Sequence, residues 1–417
     1  MHKFWKIKII ALLLAGSISC TDKQTENRSE VQAIEILGNP KYQAVCYGGY
    51  RANTREIQPS IEQIKEDMLI LTAMGIKIIR TYNVHLPEAS NILKAIDELK
   101  KADPAFEMYV MLGAWIDCKN AWTGLEPDHF NESERNEQEI ATAVKLANQY
   151  PHIVKILAVG NEAMVRWAAS YYVQPSIILK WVNHLQALKK EGKLNKDLWI
   201  TSSDDFASWG GGDASYHSKD LEDLIKAVDF ISMHTYPFHN SHYNPAFWSV
   251  PETEQQFSEI ERVHAAMLRA QKFAQAQYDS VVGYIKSIGV NKPVHIGETG
   301  WASASDGFYG DEGSRAADEY KQALYYQLMR DWTNKAGISC FYFEAFDEPW
   351  KDAQNSSGSE NHFGLFTVKG QAKFALWNLA DQQTFTGLKR DGNEIIKTFG
   401  GDSTKLLLQV KTPPYQN

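Results

Sequence analysis

Two glutamates of the chain stand at the ends of short apolar runs that also contain glycine. Glu162 ends the run Ala158–Glu162, and Glu298 lies within the run His295–Trp301. Two carboxyl groups facing one cavity can cleave a glycosidic bond, because one protonates the leaving oxygen while the other attacks the anomeric carbon or activates water. One such glutamate can have a purely structural role, but two in matching positions favour this chemistry.

The elements that would position these glutamates alternate along the chain. Eight short runs rich in β-branched or aromatic residues are each followed by an amphipathic helical pattern. These predicted strands are Tyr42–Tyr47, Ile76–Tyr82, Glu107–Ala114, Val154–Gly160, Leu198–Ser202, Val228–His234, Pro293–Gly297 and Ser339–Phe343. The alternation predicts an α/β fold with a parallel sheet, and eight units favour a closed (β/α)8 TIM barrel forming a single catalytic domain. An open doubly wound sheet is the alternative, which the lack of a G-x-G-x-x-G run after the first strand disfavours.

The first residues of the chain have the pattern of a targeting segment. Three lysines precede the apolar run Ile9–Ile18, which is too short to cross about 30 Å of hydrocarbon and is typical of a signal peptide. Small residues before Cys20 resemble a bacterial lipoprotein cleavage box, with Cys20 as the lipidated residue. A plain secretory signal with an incidental cysteine is the alternative. We therefore predict a signal peptide over 1–19, a flexible tether over 20–37, the catalytic domain over 38–400 and a tail over 401–417.

Composition excludes several classes of protein. The chain has 417 residues, of which 44% are hydrophobic and 23% charged, which is typical of a globular protein and not of a disordered, collagen-like or coiled-coil chain. A formal net charge of −8 without a long basic block makes nucleic acid an unexpected partner. Cys46, Cys118 and Cys340 show no C-x-x-C spacing, so we expect buried thiols rather than a disulfide framework or a zinc knuckle.

Several motifs at the predicted strand ends belong together. They are Val45–Gly48, Ile79–Tyr82, Gly160–Glu162, His234–Phe238, Gly297–Trp301, Phe343–Lys351 and His362–Phe366. This set resembles glycoside hydrolase family 17, the β-1,3-glucanase family among the retaining barrel glycosidases, over nearly the whole chain after the targeting segment. The departures are Pro349 and long insertions after the third and sixth strands, which bear on the shape of the sugar subsites more than on the reaction.

The resemblance implies a role for each of four polar residues. Glu162 would be the general acid/base, which must be protonated at the start of the reaction. Glu298 would be the nucleophile, and Arg80 would be the cation that keeps it ionised. Asn161 would hydrogen-bond the sugar 2-hydroxyl, a contact that strengthens in the transition state. Arg80 as an ordinary surface residue and Asn161 as a turn former are the alternatives.

The resemblance also implies residues that would bind the sugar. Tyr82 and Tyr236 would line the cleavage subsite, with one phenol near the nucleophile, although either could be a core tyrosine. Among the aromatic residues of the rim loops, we expect Trp301, two residues after Thr299, to offer a flat ring against which a sugar can pack. We interpret Glu348 and Lys351, after the eighth strand, as a polar pair near the cleaved sugar.

Other candidate sites have less support. His239 and His242 could form a metal-ligand pair, but no acidic third ligand stands at helical spacing, so we expect neither a metal nor a cofactor. A serine hydrolase is disfavoured because no G-x-S-x-G run occurs. Asp204 and Asp205 follow the fifth strand, where we expect them to cap a short helix.

The resemblance implies a β-1,3-glucan polysaccharide or oligosaccharide as the partner, and we expect it to be hydrolysed with endo action. A β-1,3-glucanosyltransferase and a non-catalytic glycan-binding lipoprotein are the alternatives. The insertions carry Trp122, Phe247 and Trp248, which we expect to narrow the cleft and to favour linear over branched chains. We expect a monomer, held through its lipid at the cell envelope of a Gram-negative bacterium, in the outer membrane.

Overall fold

The computed structural model of the protein describes residues 31–416. Its strands, in chain order, are β1 (Gln43–Cys46), β2 (Ile76–Arg80), β3 (Tyr109–Ala114), β4 (Cys118–Lys119), β5 (Asp128–Glu132), β6 (Val154–Asn161), β7 (Trp199–Asp205), β8 (Ile231–His234), β9 (Val294–Gly300), β10 (Cys340–Phe343), β11 (Lys389–Arg390) and β12 (Asn393–Glu394). Eight of them pair in parallel and close into a barrel in the order β1-β10-β9-β8-β7-β6-β3-β2. The predicted (β/α)8 barrel is confirmed.

Helices follow the barrel strands and cover the barrel from outside. The α-helices are α1 (Ala33–Ile36), α2 (Ile61–Ala73), α3 (Pro87–Ala102), α4 (Arg135–Gln149), α5 (Pro175–Lys190), α6 (Lys219–Ala227), α7 (Pro237–Tyr243), α8 (Pro245–Trp248), α9 (Glu259–Ser287), α10 (Glu319–Ala336), α11 (Trp377–Asp381) and α12 (Ser403–Leu407). Short helical turns are Ala207–Gly211, Ala214–Tyr216, Glu252–Glu254, Gly307–Tyr309, Ser359–Asn361, Phe374–Leu376 and Thr398–Gly401. Ser60 and Ser258 begin α2 and α9 with capping boxes, which satisfy N–H groups that a helix start leaves free.

All eight predicted barrel strands are present, and three extend further at their C-terminal ends than predicted. β6 continues to Asn161, β7 continues to Asp205, and β9 continues to Gly300. Every residue of β3 and β9 is buried, because a parallel strand has helices on one side and the barrel interior on the other. Among residues 31–416, no helix combines the length and the apolarity that crossing a bilayer requires.

The predicted boundary at residue 38 is wrong, because part of the expected tether packs on the barrel. Ala33 and Ile36, on α1, are fully buried in the core. The backbone N–H of Gly38 donates to Ser339 Oγ at 2.8 Å, which joins this segment to the start of β10. One helical turn is too short to show a recognisable periodicity in sequence. The predicted signal peptide over 1–19 and Cys20 lie outside the described residues.

The C-terminal residues are also part of the domain, and not a separate tail. Leu406 on α12 is 1% exposed. Val250 donates its backbone N–H to the Pro414 carbonyl at 2.8 Å. The segment 401–416 therefore packs beside the loop that precedes α9.

The thiols behave as the sequence predicts. Cys46, Cys118 and Cys340 are buried and unbridged. Burial raises the pKa of the Cys46 thiol to about 12 and that of the Cys340 thiol to about 11. These cysteines therefore act as small apolar residues rather than as nucleophiles.

Candidate active site

Four polar side chains meet at the rim where the barrel strands end. Arg80 ends β2, Asn161 ends β6, His234 ends β8 and Glu298 lies in β9. Parallel strands of a closed barrel all end on the same rim, so residues far apart in sequence come together there. Arg80 and His234 are each 1% exposed and Glu298 is 6% exposed, which makes this rim a buried and strongly charged cluster.

The two carboxyl groups predicted from sequence face each other. One carboxylate oxygen of Glu162, one of Glu298 and a ring nitrogen of His234 all lie within 4.8 Å of one another. Retaining glycosidases hold their two carboxyl groups about 5–5.5 Å apart, while inverting enzymes leave about 6.5–9.5 Å for a water molecule. The separation is therefore that of a pair in which one carboxylate attacks the sugar directly.

A tight turn directs Glu162 into the cluster. Glu162 has φ of 45° and Gly160 has φ of 83°, and a left-handed conformation costs a residue with a side chain about 1–3 kcal/mol. A Cβ atom at Gly160 would lie 2.8 Å from the Ala163 Cβ. Only glycine therefore fits the position two residues before Glu162.

Three side chains hold Glu298 in its charged form. Arg80 Nη1 donates to Glu298 Oε2 at 2.6 Å, the Tyr82 hydroxyl donates to Oε2 at 2.8 Å, and the Tyr236 hydroxyl donates to Oε1 at 2.5 Å. Burial alone would raise the pKa of Glu298, but the charges of His234 and Arg80 and the two phenol hydrogen bonds outweigh it and lower the pKa to about 2. Glu298 is therefore ionised at any ordinary pH.

Arg80 also fixes the side chain of Asn161. Arg80 Nη2 donates to Asn161 Oδ1. Because a guanidinium only donates, the atom facing it must be the amide oxygen, which orients the amide. The Asn161 NH2 group is then free to donate, and within residues 31–416 no protein acceptor takes it. This is the orientation that a hydrogen bond to a sugar hydroxyl requires.

His234 is the partner of Glu162, which the sequence analysis did not identify. His234 Nδ1 lies 3.0 Å from Glu162 Oε1, and His234 Nε2 lies 2.8 Å from Ser203 Oγ. Ser203 in turn hydrogen-bonds Ser232 at 2.9 Å. The imidazole is thus held from both ring nitrogens. The sequence could have indicated this role, because His234 stands at the end of β8, two residues before Tyr236.

Within the described part of the chain, one group of side chains has the spacing of a metal site. It consists of Glu162, His234 and Glu298. Arg80 already donates to Glu298 Oε2 at 2.6 Å, so a metal ion between these groups would face a guanidinium charge. Both carboxylates and the imidazole have protein partners. The arrangement therefore fits acid/base and nucleophilic chemistry better than metal ligation.

His239 and His242, considered above as a possible metal-ligand pair, have separate partners. His239 Nδ1 lies 3.0 Å from the Tyr309 hydroxyl. Burial lowers the pKa of His239 to about 4, so its ring is neutral. His242 instead stacks on Phe308 with ring centroids 4.2 Å apart. The two imidazoles therefore serve as packing and hydrogen-bonding groups.

The predicted ion pair after β10 is confirmed, with a second carboxylate that the sequence analysis left without a role. Lys351 Nζ lies 3.2 Å from Glu348 Oε2 and 2.9 Å from Glu344 Oε2. It also lies 3.8 Å from the centroid of the Phe343 ring. Burial raises the pKa of Glu344 well above its usual range, although the Lys351 charge opposes this. Glu348 accepts the Tyr50 N–H at 3.3 Å, which anchors the group to the loop after β1.

The expectation that Trp301 binds sugar is wrong. Trp301 is fully buried, and its indole N–H donates to the Ala316 carbonyl at 2.8 Å. Its ring packs against Trp248 and Tyr325, with centroids 5.4 and 5.1 Å away. The ring turns under the rim loops toward α10, where no face is left for a ligand.

The insertion after the sixth barrel strand likewise does not narrow the cleft with its aromatic residues. Trp248 is 1% exposed, and Phe247 stacks on Phe273 of α9 with centroids 4.4 Å apart. Both rings pack into the outer helical layer. In the insertion after β3, by contrast, Trp122 is 57% exposed.

The two aspartates that end β7, Asp204 and Asp205, fix two different turns. Asp205 Oδ1 accepts the backbone N–H groups of Ala207 and Ser208 at 2.8 and 3.3 Å, which confirms the predicted capping role. Asp204 Oδ2 instead accepts the N–H of Met164 at 2.8 Å. Asp204 thereby stabilises the turn that carries Glu162. Burial and the Glu162 charge raise the pKa of Asp205 to about 6.

Comparisons with known proteins agree with this geometry. The chain is 28% identical over 312 residues to the probable glucan endo-1,3-beta-glucosidase btgC of Aspergillus fumigatus, a stretch covering 73% of this chain and 37% of the relative. It is 24% identical to the glucan endo-1,3-beta-glucosidase btgC of Emericella nidulans, covering 82% of this chain and 46% of the relative. The chain thus spans less than half the length of these curated relatives.

Solved structures and a family model identify the barrel. An endo-laminarinase from Formosa Hel1_33_131 is 63% identical, with a TM-score of 0.92, covering 93% of this chain and 98% of its own. A glycoside hydrolase family 17 β-1,3-glucanosyltransferase from Rhizomucor miehei shares the fold at 20% identity, with a TM-score of 0.56 over 80% of this chain and 96% of its own. The model of the BtgE/BtgC glycoside hydrolase domain matches residues 44–364. The family 17 resemblance is confirmed, and the chain belongs to the BtgE/BtgC glycoside hydrolase family.

Proposed function

We propose that the protein is a retaining endo-β-1,3-glucanase that hydrolyses laminarin-type glucan. The observation that carries the proposal is the pair of carboxylates, in which an oxygen of Glu162 lies within 4.8 Å of an oxygen of Glu298. Their surroundings differ, because Glu298 is held ionised by Arg80 and two phenols while Glu162 is bonded to His234. Two carboxyl groups in such different surroundings are suited to different roles.

In the first step Glu298 attacks the anomeric carbon of the bound glucan. A bond forms between a Glu298 oxygen and C1, and the bond from C1 to the glycosidic oxygen breaks with its electron pair going to that oxygen. The proton of Glu162 passes to the same oxygen, so the leaving sugar departs as a neutral alcohol. The NH2 group of Asn161 stabilises this step by donating to the 2-hydroxyl.

The second step hydrolyses the glycosyl ester formed on Glu298. Glu162, now a carboxylate, takes a proton from water while the water oxygen attacks C1. The bond from C1 to Glu298 breaks, and Glu298 regains its charge beside Arg80. Two inversions at C1 give net retention of the β configuration.

The substrate class is supported by the relatives. The Aspergillus fumigatus and Emericella nidulans proteins are named as glucan endo-1,3-beta-glucosidases, and the Formosa protein is an endo-laminarinase. The last of these is similar to this chain over almost its full length. Trp122 and Trp167 are exposed in the segments that follow β3 and β6, and exposed aromatic rings are suited to packing against sugar rings.

The experiment is a proton NMR time course of the cleavage of laminarihexaose. We expect β-anomeric reducing ends first, followed by mutarotation, and products of several lengths from internal cleavage. Initial α-anomers would contradict retention, and the release of one fixed length from a chain end would contradict endo action. Oligosaccharides longer than the substrate would report transfer to a sugar instead of water. No turnover by the folded protein would support the glycan-binding alternative.

We further propose that the protein acts as a monomer anchored by a lipid on Cys20 to the cell envelope of a Gram-negative bacterium, in the outer membrane. Every residue of the site comes from one chain, so a single copy suffices. A multiply acylated N-terminal cysteine supplies the several chains that stable anchoring requires. Mass spectrometry of the mature N-terminus and fractionation of C20A test the anchor. An unmodified N-terminus at another residue would contradict the lipid anchor. Light scattering of the protein released from the membrane tests whether it is a monomer.

A further inference from the structure

A stacked pair of aromatic rings, one exposed and one partly buried, stands on the rim, and neither chemical step above uses it. Trp122 is 57% exposed, and its ring stacks on that of Tyr171 with centroids 5.1 Å and planes 21° apart. Trp115 contacts both rings, with centroids 6.5 and 5.4 Å away. We refer to Trp122 and Tyr171 as the rim platform. A large aromatic surface left open beside a cleft is typical of a binding site.

Hydrogen bonds place Tyr171 beside the proposed acid. Tyr171 lies in the segment that follows Glu162. The Val173 N–H donates to the Ala163 carbonyl at 2.7 Å, which brings the end of this segment back beside Glu162. Burial raises the pKa of the Tyr171 phenol, and the charges of Glu162, Asp204 and Glu298 raise it further. The phenol is therefore within electrostatic reach of the catalytic carboxylates.

The hairpin β4–β5 fixes the other half of the platform. Trp122 lies in the turn between these strands, and the Cys118 N–H donates to the Tyr171 carbonyl at 3.0 Å. Arg135 braces the turn by donating to Asp117 Oδ2 at 2.7 Å and to the Ala121 carbonyl at 3.4 Å. A ring that is held in place before binding loses little further freedom when a sugar packs on it.

The order of the barrel strands shows on which side of the scissile bond the platform lies. The hairpin follows β3, which pairs with β6, the strand leading to Glu162. In the closed barrel β3 stands opposite β9, which carries Glu298. The sugar attacked at C1 must lie against Glu298. The sugar that leaves with the oxygen protonated by Glu162 lies toward β3 and β6.

We propose that the rim platform of Trp122 and Tyr171 binds the glucose ring on the leaving-group side of the scissile bond. The ligand is a neutral pyranose, whose C–H faces pack on aromatic rings. After the first step the same platform holds the incoming acceptor whenever that acceptor is a sugar. This inference rests on the proposed function, since it presumes that Glu298 and Glu162 act as assigned.

Trp122→Ala tests the platform with two substrates that differ only in what leaves. Laminaritetraose cleaved at its central bond releases a disaccharide, while β-laminaribiosyl fluoride releases fluoride, which no aromatic ring can hold. We expect kcat/KM for the tetraose to fall about tenfold, the effect of one ring contact, and kcat/KM for the fluoride to stay within about twofold. Trp122→Phe should recover most of the loss, and transfer to added laminaribiose should fall in Trp122→Ala.

Phe130→Ala is the matched control, because Phe130 is 79% exposed on β5 of the same hairpin and should leave both substrates unaffected. An equal loss on both substrates would place the platform on the nucleophile side, and no loss on either would make it a bystander; both outcomes overturn the inference. An equal loss in Phe130→Ala would mean that the hairpin itself is disturbed, which also overturns it. If the unaltered enzyme cleaves neither substrate, the proposed function has failed and not only the platform.

Discussion

His234 Nδ1 lies 3.0 Å from Glu162 Oε1, and a ring nitrogen of His234 and a carboxylate oxygen from each of Glu162 and Glu298 all lie within 4.8 Å of one another. The imidazole therefore touches the proposed acid directly and acts electrostatically on the proposed nucleophile. Ser203 holds the opposite ring nitrogen at 2.8 Å. One buried histidine thus links the two carboxylates that must carry opposite protonation states at the start of the reaction.

His234→Ala should slow the step that needs a proton. We expect kcat/KM for laminarihexaose to fall roughly 100-fold, the low end of the contribution of a general acid, because Glu162 would lose the group that positions it. β-Laminaribiosyl fluoride, whose leaving group needs little protonation, should lose much less. His217→Ala, directly after the short helical turn Ala214–Tyr216, is the control. Equal losses on the two substrates would mean that His234 does not act through Glu162.

Tyr236→Phe should shift the acid limb of the pH profile. The Tyr236 hydroxyl donates to Glu298 Oε1, one of the interactions that lower the pKa of Glu298 to about 2. Without this hydrogen bond the pKa of Glu298 rises, so the nucleophile becomes protonated at a higher pH. We expect the acid limb of kcat/KM to move upward by about one pH unit. Tyr278→Phe on α9 is the control and should leave the acid limb of kcat/KM unchanged. An unchanged acid limb in Tyr236→Phe would contradict the proposed role of its hydroxyl.

The ion pair between Arg390 and Asp67 should stabilise the domain without affecting its chemistry. Arg390 Nε lies 2.9 Å from Asp67 Oδ1, with both side chains fully buried, and the pair joins the hairpin β11–β12 to α2. Removing one partner of a buried pair costs about 3–5 kcal/mol. Arg390→Ala should lower the free energy of unfolding by about 3 kcal/mol, since Tyr47 and Arg51 still contact Asp67. Lys389→Ala, which alters an exposed neighbour, should change it by less than about 0.5 kcal/mol in denaturant titrations.

Linear glucan should be cleaved faster than branched glucan. The hairpin β4–β5 stands over the rim beside Glu162, and a glucose branch at O6 of a nearby ring would compete with it for space. Initial rates on laminarin before and after enzymatic removal of its β-1,6 branches test this. Equal rates would contradict a narrow cleft while leaving the linkage assignment intact. Faster cleavage of a β-1,4-glucan would contradict both.

The barrel and its carboxylate pair could be predicted from sequence for a physical reason. Parallel barrel strands are buried on both faces, so they appear as short apolar runs, and a carboxylate at the end of such a run must face the rim. Glu162 and Glu298 fulfil both conditions. Arg80, Tyr82 and Tyr236 were assigned through the family resemblance, and each contacts Glu298 from at or just beyond a strand end.

The predictions that were wrong depended on the direction in which a side chain points, and the sequence alone does not determine that direction. Trp301 lies directly after β9, yet its ring turns into the outer layer, where its indole N–H meets the Ala316 carbonyl. Trp248 is buried in the same way. His234 was placed at a predicted strand end but given no role of its own, because its contact with Glu162 spans 72 residues of chain. The domain boundary was misplaced because α1 is a single turn.

The anomeric configuration of azide adducts tests the central claim most directly. Glu298→Ala should abolish turnover, and azide entering the enlarged site from the opposite face should restore it with an α-glycosyl azide as product. Glu162→Ala should form the glycosyl ester with an activated substrate such as β-laminaribiosyl fluoride, and azide should then release a β-glycosyl azide. NMR of both products distinguishes the two roles. The account predicts α from Glu298→Ala and β from Glu162→Ala, and the reverse pattern, or full activity of either variant on laminarin, would contradict it.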